Sequence, residues 1–499
     1  MNDLYAAWQN LGPLYLFSSP AYLLALPLAV GGHWLLPRRL RNGYLLLVSY
    51  AFYLSWDPRF AALLLGSTAV DYYCGLEMEE AGRRRFLLGL SLTINLGCLL
   101  LFKYLGFFCE GLALLLSPIG LAPSCSALHL IVPLGLSYYT FQKVGYILDC
   151  YQGRVKPCRQ PVDFALFVSF FPQLLCGPIE RAGTLLPQLQ GLRGLDGAAC
   201  SRALYLLTYG LFKKVVMADT LADFVDRVFA APAPSGAEVL LACYAWSLQM
   251  YCDFSGYTDL ARGSAALFGV QLSANFNLPF FSARPREFFR RWHITLSTWI
   301  TRHVHYPLLF WLGGRLQGRW GLSARGALLL GNVLAGLATM TLFSFWHGAS
   351  FNFLVMGPYL YGMFALYDGV AGLLTRATAG WLPRWAELLA RPLNRLVVLH
   401  LLVSIFVMVR PTSFPQLQRM VAGLAGGFDF RAMGTSEWWY VGLGLILFFT
   451  HEFFQYRGGD ELYVTRWGFY RQVPFYCCLF FFALQAGASF SQRFIYIQF

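Results

Sequence analysis

Apolar runs extend from one end of this chain to the other, and none of them alternates. Leu45–Tyr53 and Val441–Thr450 show the pattern: consecutive hydrophobic residues with no period of two. In lipid no water satisfies backbone N–H and C=O groups, so only helices or closed barrels can span. Barrel strands alternate apolar and polar residues; these runs do not. The reading is therefore an all-α, polytopic membrane protein. Composition agrees, since 57% of the 499 residues are hydrophobic and 13% are charged, against about 25% charged in soluble domains. Mean hydropathy is +0.51.

A span needs roughly 20 apolar residues. Candidate spans are Tyr15–Leu36, Tyr44–Trp56, Phe60–Leu76 and Phe86–Tyr104, a less regular Phe107–Leu121, then Leu128–Tyr151, Val162–Cys176, Ala203–Ala218 and Ala237–Tyr257. They resume after an arginine-rich stretch at Ala327–Trp346, Phe351–Leu374, Leu396–Val409, Trp439–Phe454 and Val473–Ala488. That makes roughly 11 to 14 crossing or re-entrant helices, several of them short. We expect one domain over residues 1–499, with Pro411–Ser436 as an interfacial loop.

The net charge of +13 points to nucleic acid in a soluble protein. In a membrane protein it reads first as cytoplasmic loops rich in Lys and Arg. We expect no nucleic-acid partner. Arg38, Arg39 and Arg41 lie two spans from Arg83, Arg84 and Arg85. Both groups therefore lie on one side, which the positive-inside rule makes cytoplasmic, with the N-terminus outside. No basic leader marks a cleavable signal. Twelve cysteines are present without a Cys-x-x-Cys pair. They indicate neither a zinc site nor a disulfide framework and read as small core residues.

Polar residues concentrate between Tyr251 and Ser350, where ionisable side chains in an apolar setting mark a functional site by default. His347 follows about 20 mostly apolar residues, enough for a span. Its ordinary pKa suits a general base at neutral pH. The plainer reading is a histidine bonded to a helix carbonyl. His293 follows Trp292 and precedes Ser297 by four residues, a spacing that shares a helix face. It is either a second acid/base, a substrate-positioning group, or half of an interfacial Trp-His anchor. Arg290 and Arg291, with Arg284, Arg286 and Arg302, are candidates for gripping a donor's phosphates, although positive-inside anchoring explains most of them. His303 and His305 make one His-x-His pair, which is no metal site. Asp253 is a candidate for orienting a helix or a histidine.

Taken in order, several motifs resemble the membrane-bound O-acyltransferase (MBOAT) family, in its bacterial branch of alginate O-acetyltransferase membrane subunits. They are Pro133-Leu-Gly-Leu-Ser-Tyr-Tyr-Thr-Phe-Gln142, Phe171-Pro-Gln-Leu-Leu-Cys-Gly-Pro-Ile-Glu-Arg181, Tyr251-Cys-Asp-Phe-Ser-Gly-Tyr-Thr-Asp259, Asn275-Phe-Asn277 with Pro279, Phe289-Arg-Arg-Trp-His-Ile-Thr-Leu-Ser297, and Trp346-His347-Gly348. The core motifs cover about 130–350, with further spans over about 396–499. The resemblance implies helices around a central tunnel. It also implies His347 and His293 as the catalytic pair, with Trp346, Trp292, Asn277 and Ser297 in the matching motifs. The expected reaction is acyl transfer, acetyl above all, from a cytoplasmic thioester (acetyl-CoA or an acyl carrier) with no bound cofactor or metal. The expected acceptor is an exported or wall polysaccharide such as alginate, reached across a bacterial inner membrane with a periplasmic serine esterase-like partner. By the same likeness Tyr496, in Phe494-Ile-Tyr-Ile-Gln-Phe499, is an acyl relay, or else part of an aromatic belt. D-alanyl transfer to teichoic acid and a non-catalytic glycan exporter are the alternatives. One stretch departs from the branch: after Val304-His-Tyr-Pro, Gly313-Gly-Arg315 follows three residues late.

Overall fold

The computed structural model describes residues 13–79, 82–120, 124, 130–191, 194–377, 384–411, 413–428, 438–486 and 495. Among these every regular element is a helix. The first helices are α1 (Pro20–Leu35), α2 (Arg38–Leu54), α3 (Arg59–Glu77), α4 (Arg84–Leu99) and α5 (Leu105–Leu116). Then come α6 (Leu136–Tyr151), α7 (Pro161–Ser169), α8 (Phe171–Leu174), α9 (Ala182–Gln190), α10 (Gly197–Leu211) and α11 (Thr220–Ala230). The long α12 (Gly236–Leu267) is followed by the short α13 (Pro285–Arg291) and α14 (Ile294–Ile300). The remainder are α15 (Tyr306–Gly318), α16 (Ala324–His347), α17 (Phe351–Ala377), α18 (Arg384–Val409), α19 (Phe414–Leu424), α20 (Trp438–Gly458) and α21 (Phe469–Gln485).

Three of these stretches are long and apolar enough to cross a membrane: Arg84–Ile119, Ala324–His347 and Pro392–Val409. The first is α4 and α5 joined by a π-helical turn at Leu100–Tyr104, so the two runs read separately in the sequence form one 36-residue helix. Only 11% of its most apolar window is buried; Leu114 and Leu115 are more than 70% exposed. Apolar surface on this scale belongs in lipid. Elsewhere the runs break where chemistry breaks them. Val162–Cys176 divides at Phe170, whose extended ψ separates α7 from α8. Helix α6 starts at Leu136 rather than Leu128, behind Gly135 at φ 71°. A Cβ there would lie 2.4 Å from the Leu174 carbonyl oxygen. The stretch expected as an interfacial loop instead contains α19, which buries Met420 and sends Gln416 Nε2 to the Phe229 carbonyl.

The chain divides into two compact units. The first comprises residues 1–215, 256–273 and 464–498. Its interior holds a polar cluster across α3, α4 and α6. Asp71 accepts from Ser91 Oγ and from Asn95 Nδ2, and Lys143 Nζ stands 3.5 Å from it with both side chains fully buried. A second buried group pairs Asp259 with Lys213 and Arg262. The other unit comprises residues 216–255, 274–463 and 499, and both candidate histidines belong to it. Ten described cysteines are free, but Cys109 is disulfide-bonded. Spacing alone, without a Cys-x-x-Cys signal, could not distinguish it from the core cysteines.

Candidate active site

The site is built around a clasp between two stretches of irregular backbone. Asn277 N–H donates to the Arg291 carbonyl at 2.9 Å, and Ile294 N–H to the Asn275 carbonyl at 2.9 Å. Between those bonds the chain turns sharply at His293, which has φ 44° and ψ 53°. Leu278, at the other end of the clasp, has φ 48°. These are the only non-glycine residues with positive φ among the described residues. Left-handed backbone costs roughly 1–2 kcal/mol per L-residue, and such strain persists where surrounding bonds over-determine it, commonly at functional sites.

The turn seals His293 completely from solvent. Its Nδ1 lies 3.1 Å from Asn275 Oδ1. That oxygen also accepts from Thr295 N–H at 3.2 Å and Thr295 Oγ at 2.9 Å. A backbone N–H can only donate, so the Asn275 atom is the carbonyl oxygen and His293 Nδ1 carries the proton. The lone pair is therefore on Nε2. Phe254 of α12 meets the imidazole edge-on at 4.8 Å between centroids. Burial, with His347 acting in the same sense, holds His293 well below its usual pKa. It lies in the break between α13 and α14, outside the spanning helices.

His347 closes α16. Its Nδ1 lies 2.8 Å from the Phe343 carbonyl one turn back. A carbonyl only accepts, so this histidine too is protonated at Nδ1 and basic at Nε2. The catalytic and helix-bonded readings are thus compatible: the helix carbonyl sets the tautomer that a base requires. Gly348 is demanded by packing, because a Cβ there would lie 2.2 Å from the Phe353 ring. Buried Trp346 joins the two histidines, with its ring 4.7 Å from His347 and 6.2 Å from His293.

The other expected residues divide. Trp292 is buried, stacked on Phe288 at 5.3 Å and edge-on to Phe276 at 5.0 Å; it anchors the His293 turn. Ser297 does not share a helix face with His293, because His293 is the N-cap of α14. Ser297 N–H donates to the His293 carbonyl, and its Oγ donates to the Trp292 carbonyl at 3.3 Å. Arg291 pairs with Glu287 and donates to the Asn277 carbonyl, a bracing role, and the Asn277 backbone is part of that brace. Arg286 pairs with Asp368 at 2.6 Å. Arg290 is exposed. Asp253 is buried on α12, one residue before Phe254. Tyr496 lies outside the described residues.

Three residues were not singled out from the sequence. Asn275 is the orienting partner of His293, and its Nδ2 is buried with no hydrogen-bond partner among the described residues. Ser344, one turn before His347, is fully buried, and its Oγ also has no partner among the described residues. Glu452 of α20 accepts from the Tyr251 hydroxyl at 2.6 Å, with both residues buried. A carboxylate following a histidine inside the apolar Val441–Phe454 run was the available signal for Glu452.

Such an arrangement suits proton transfer to and from oxygen or sulfur: two imidazoles, each with Nδ1 held by an acceptor and Nε2 as the remaining ring nitrogen for proton exchange. Known proteins point the same way. The profile of MBOAT, the membrane-bound O-acyltransferase family, matches residues 159–408. The chain is 36% identical over 379 residues to the probable alginate O-acetylase AlgI of Pseudomonas putida, covering 74% of each. It is 29% identical over 449 residues to a peptidoglycan O-acetyltransferase of Helicobacter pylori, covering 82% of this chain and 80% of that one. Identity to a teichoic acid D-alanyltransferase of Bacillus subtilis is 27% over 271 residues, or 52% of this chain and 65% of that one. The chain belongs to the membrane-bound O-acyltransferase family and is a multi-pass membrane O-acyltransferase.

Proposed function

We propose that this enzyme moves an acetyl group from a cytoplasmic thioester to a hydroxyl destined for an exported or cell-wall polysaccharide. The observation that carries the reading is the matched tautomer of His293 and His347, each with Nδ1 bonded to an acceptor and Nε2 left basic. A hydroxyl attacking the thioester carbonyl must lose its proton, and the departing thiolate must gain one. His347 Nε2 takes the hydroxyl proton as the C–O bond forms. When the C–S bond breaks, the proton passes to sulfur, leaving an ester and a free thiol. His293 holds or relays that proton on the donor side. Asn275 Nδ2 and Ser344 Oγ are donors suited to the carbonyl oxygen as it gains charge, the usual source of large rate effects.

Opposite ends of one helix support a direction across the bilayer. Arg83, Arg84 and Arg85 stand at its start, which favours the cytoplasm. Cys109, disulfide-bonded, lies in its second half, which favours an oxidising exterior. This supports a bacterial inner-membrane enzyme with its N-terminus in the periplasm and a soluble periplasmic partner to complete transfer. The similarity to an alginate O-acetylase and a peptidoglycan O-acetyltransferase supports acetyl over D-alanyl, because the D-alanyltransferase similarity covers about half the chain. Tyr496 is the proposed relay, accepting acetyl as a phenolic ester.

The test is turnover by purified protein in liposomes with acetyl-CoA, or an acetylated carrier, and a hydroxyl acceptor. Wild type should release thiol in step with ester. Equal thiol release by His347→Gln would reject the assignment of His347, and an acetyl-labelled Tyr496 should accumulate when the acceptor is withheld.

A further inference from the structure

Apart from the histidines, the second unit contains a cavity of about 500 Å³ between α11, α12, α18 and α20. Its walls are Leu221, Leu241, Leu248, Leu399, Leu445, Phe449 and similar side chains, with Tyr244 the only polar one among twelve. The volume is that of a ligand pocket, but this one has almost nothing to hydrogen-bond a polar ligand. Along α20 the lining runs from Val441 through Leu445 to Phe449, about 12 Å of one helix face. Phe449 is 45% exposed, so the wall it forms gives onto the outside.

One end carries a charge. Arg395 stands one helical turn from Leu399, on the face that Leu399 presents to the cavity, near the start of the Pro392–Val409 span. Its guanidinium lies 5.2 Å from the centroid of the Tyr456 ring and donates to the Tyr456 hydroxyl. Tyr456 in turn stacks at 4.7 Å on Phe281, a cavity residue. No carboxylate pairs with Arg395 among the described residues, and its Nε is buried with no hydrogen-bond partner. A half-buried guanidinium with no carboxylate and an unpartnered Nε, beside a hydrocarbon-lined cavity at the end of a span, is complementary to a lipid phosphate.

We propose that this cavity holds one acyl chain of an anionic phospholipid, with the phosphate on Arg395. The site is separate from the histidines and does not rest on the proposed reaction. It is nonetheless coupled to them through aromatic rings. Phe280 lines the cavity and meets Tyr251 at 5.3 Å and Phe288 at 6.4 Å. Phe288 stacks on Trp292, next to His293. An occupied cavity therefore braces the His293 turn from behind.

The test is native mass spectrometry of the full chain in mild detergent, with phosphatidylglycerol and phosphatidylcholine of identical chains added at equal concentration. Wild type should retain one phosphatidylglycerol, preferred about fivefold, the gain expected from one basic residue on an anionic lipid. Arg395→Gln should abolish the preference and keep weak binding of both lipids. Leu445→Trp, which fills the cavity, should bind neither; if that variant does not fold, Leu248→Phe fills it from the facing wall. Retention of neither lipid by wild type, or undiminished retention in the filled variant, overturns the proposal. So does displacement of both lipids by palmitoyl-CoA, which would make the cavity a donor site, and an unchanged preference in Arg395→Gln refutes the phosphate contact.

Discussion

Asn275 is the residue whose change tests most about the site. Its carbonyl oxygen accepts three bonds, from His293 Nδ1, Thr295 N–H and Thr295 Oγ. Asn275→Ala removes the oxygen to which His293 Nδ1–H and Thr295 N–H donate, while the Thr295 hydroxyl can rotate away. A donor deprived of its acceptor costs about 1–3 kcal/mol, so for the two donors the expected stability loss is about 2–6 kcal/mol. The imidazole also loses the bond that selects its tautomer and holds its plane. A positioned base contributes about 10²- to 10⁴-fold, so the rate should fall by at least about tenfold. Asn275→Asp separates these effects. A carboxylate accepts all three bonds, so stability should largely return. Its charge beside the imidazole favours imidazolium, which raises the pKa of His293. From its depressed starting value the raised pKa moves the acid limb of the rate profile to higher pH, so the aspartate variant should lose rate in acid before wild type does, with a lower plateau because a carboxylate cannot supply the Nδ2 donor. The assay is ester formation in proteoliposomes from pH 5.5 to 9.5, alongside thermal unfolding followed by tryptophan fluorescence. Wild-type rate and pH profile in Asn275→Ala would refute the orienting role of Asn275 and the base role of His293 together.

Other consequences follow from the same geometry. Ser344→Ala removes a hydroxyl that has no partner among the described residues, so unfolding temperature should hold or rise while transfer slows. An unchanged rate would exclude Ser344 from the site. Ser297→Ala removes a long bond to the Trp292 carbonyl and should cost no more than about 1 kcal/mol, with transfer retained; loss of transfer at full stability would return Ser297 to the candidates. In the first unit, Lys143→Met strands Asp71 in a fully buried cluster and should destabilise by about 3–5 kcal/mol. Adding Asp71→Asn should restore much of that, and a double variant as unstable as the single one would contradict the ion-pair account.

Much of this was legible in the sequence because it follows from period and residue type. Unbroken apolar runs forbid alternation, and they give helices. His347 stands out against an apolar flank and His293 by its Trp-His pair, and the structure brings both to Trp346. What sequence could not supply was backbone conformation. The Ser297 expectation assumed a helix through His293; a left-handed turn there makes it a cap instead and sends Ser297 back to the Trp292 carbonyl. That turn also makes Asn275, rather than Asn277, the partner of the imidazole. In an Asn-Phe-Asn motif the two residues are equivalent until the clasp with Arg291 and Ile294 sets the register. Arg291 looked like a phosphate ligand because its partner Glu287, four residues earlier, is visible only once α13 is known to be helical. The π-helical turn at Leu100–Tyr104 concealed the continuity of α4 and α5, since a single Lys103 inside an apolar run resembles an end.

The central claim is that His347 performs acyl transfer, and the acceptor polymer itself reads it most directly. The acetyl-ester content of the host's secreted and wall polysaccharides should be measured with wild-type protein and with His347→Ala at matched membrane levels. The account predicts loss of esters from one polymer in the variant, with the others unchanged. Esters at wild-type levels in every polymer would contradict it.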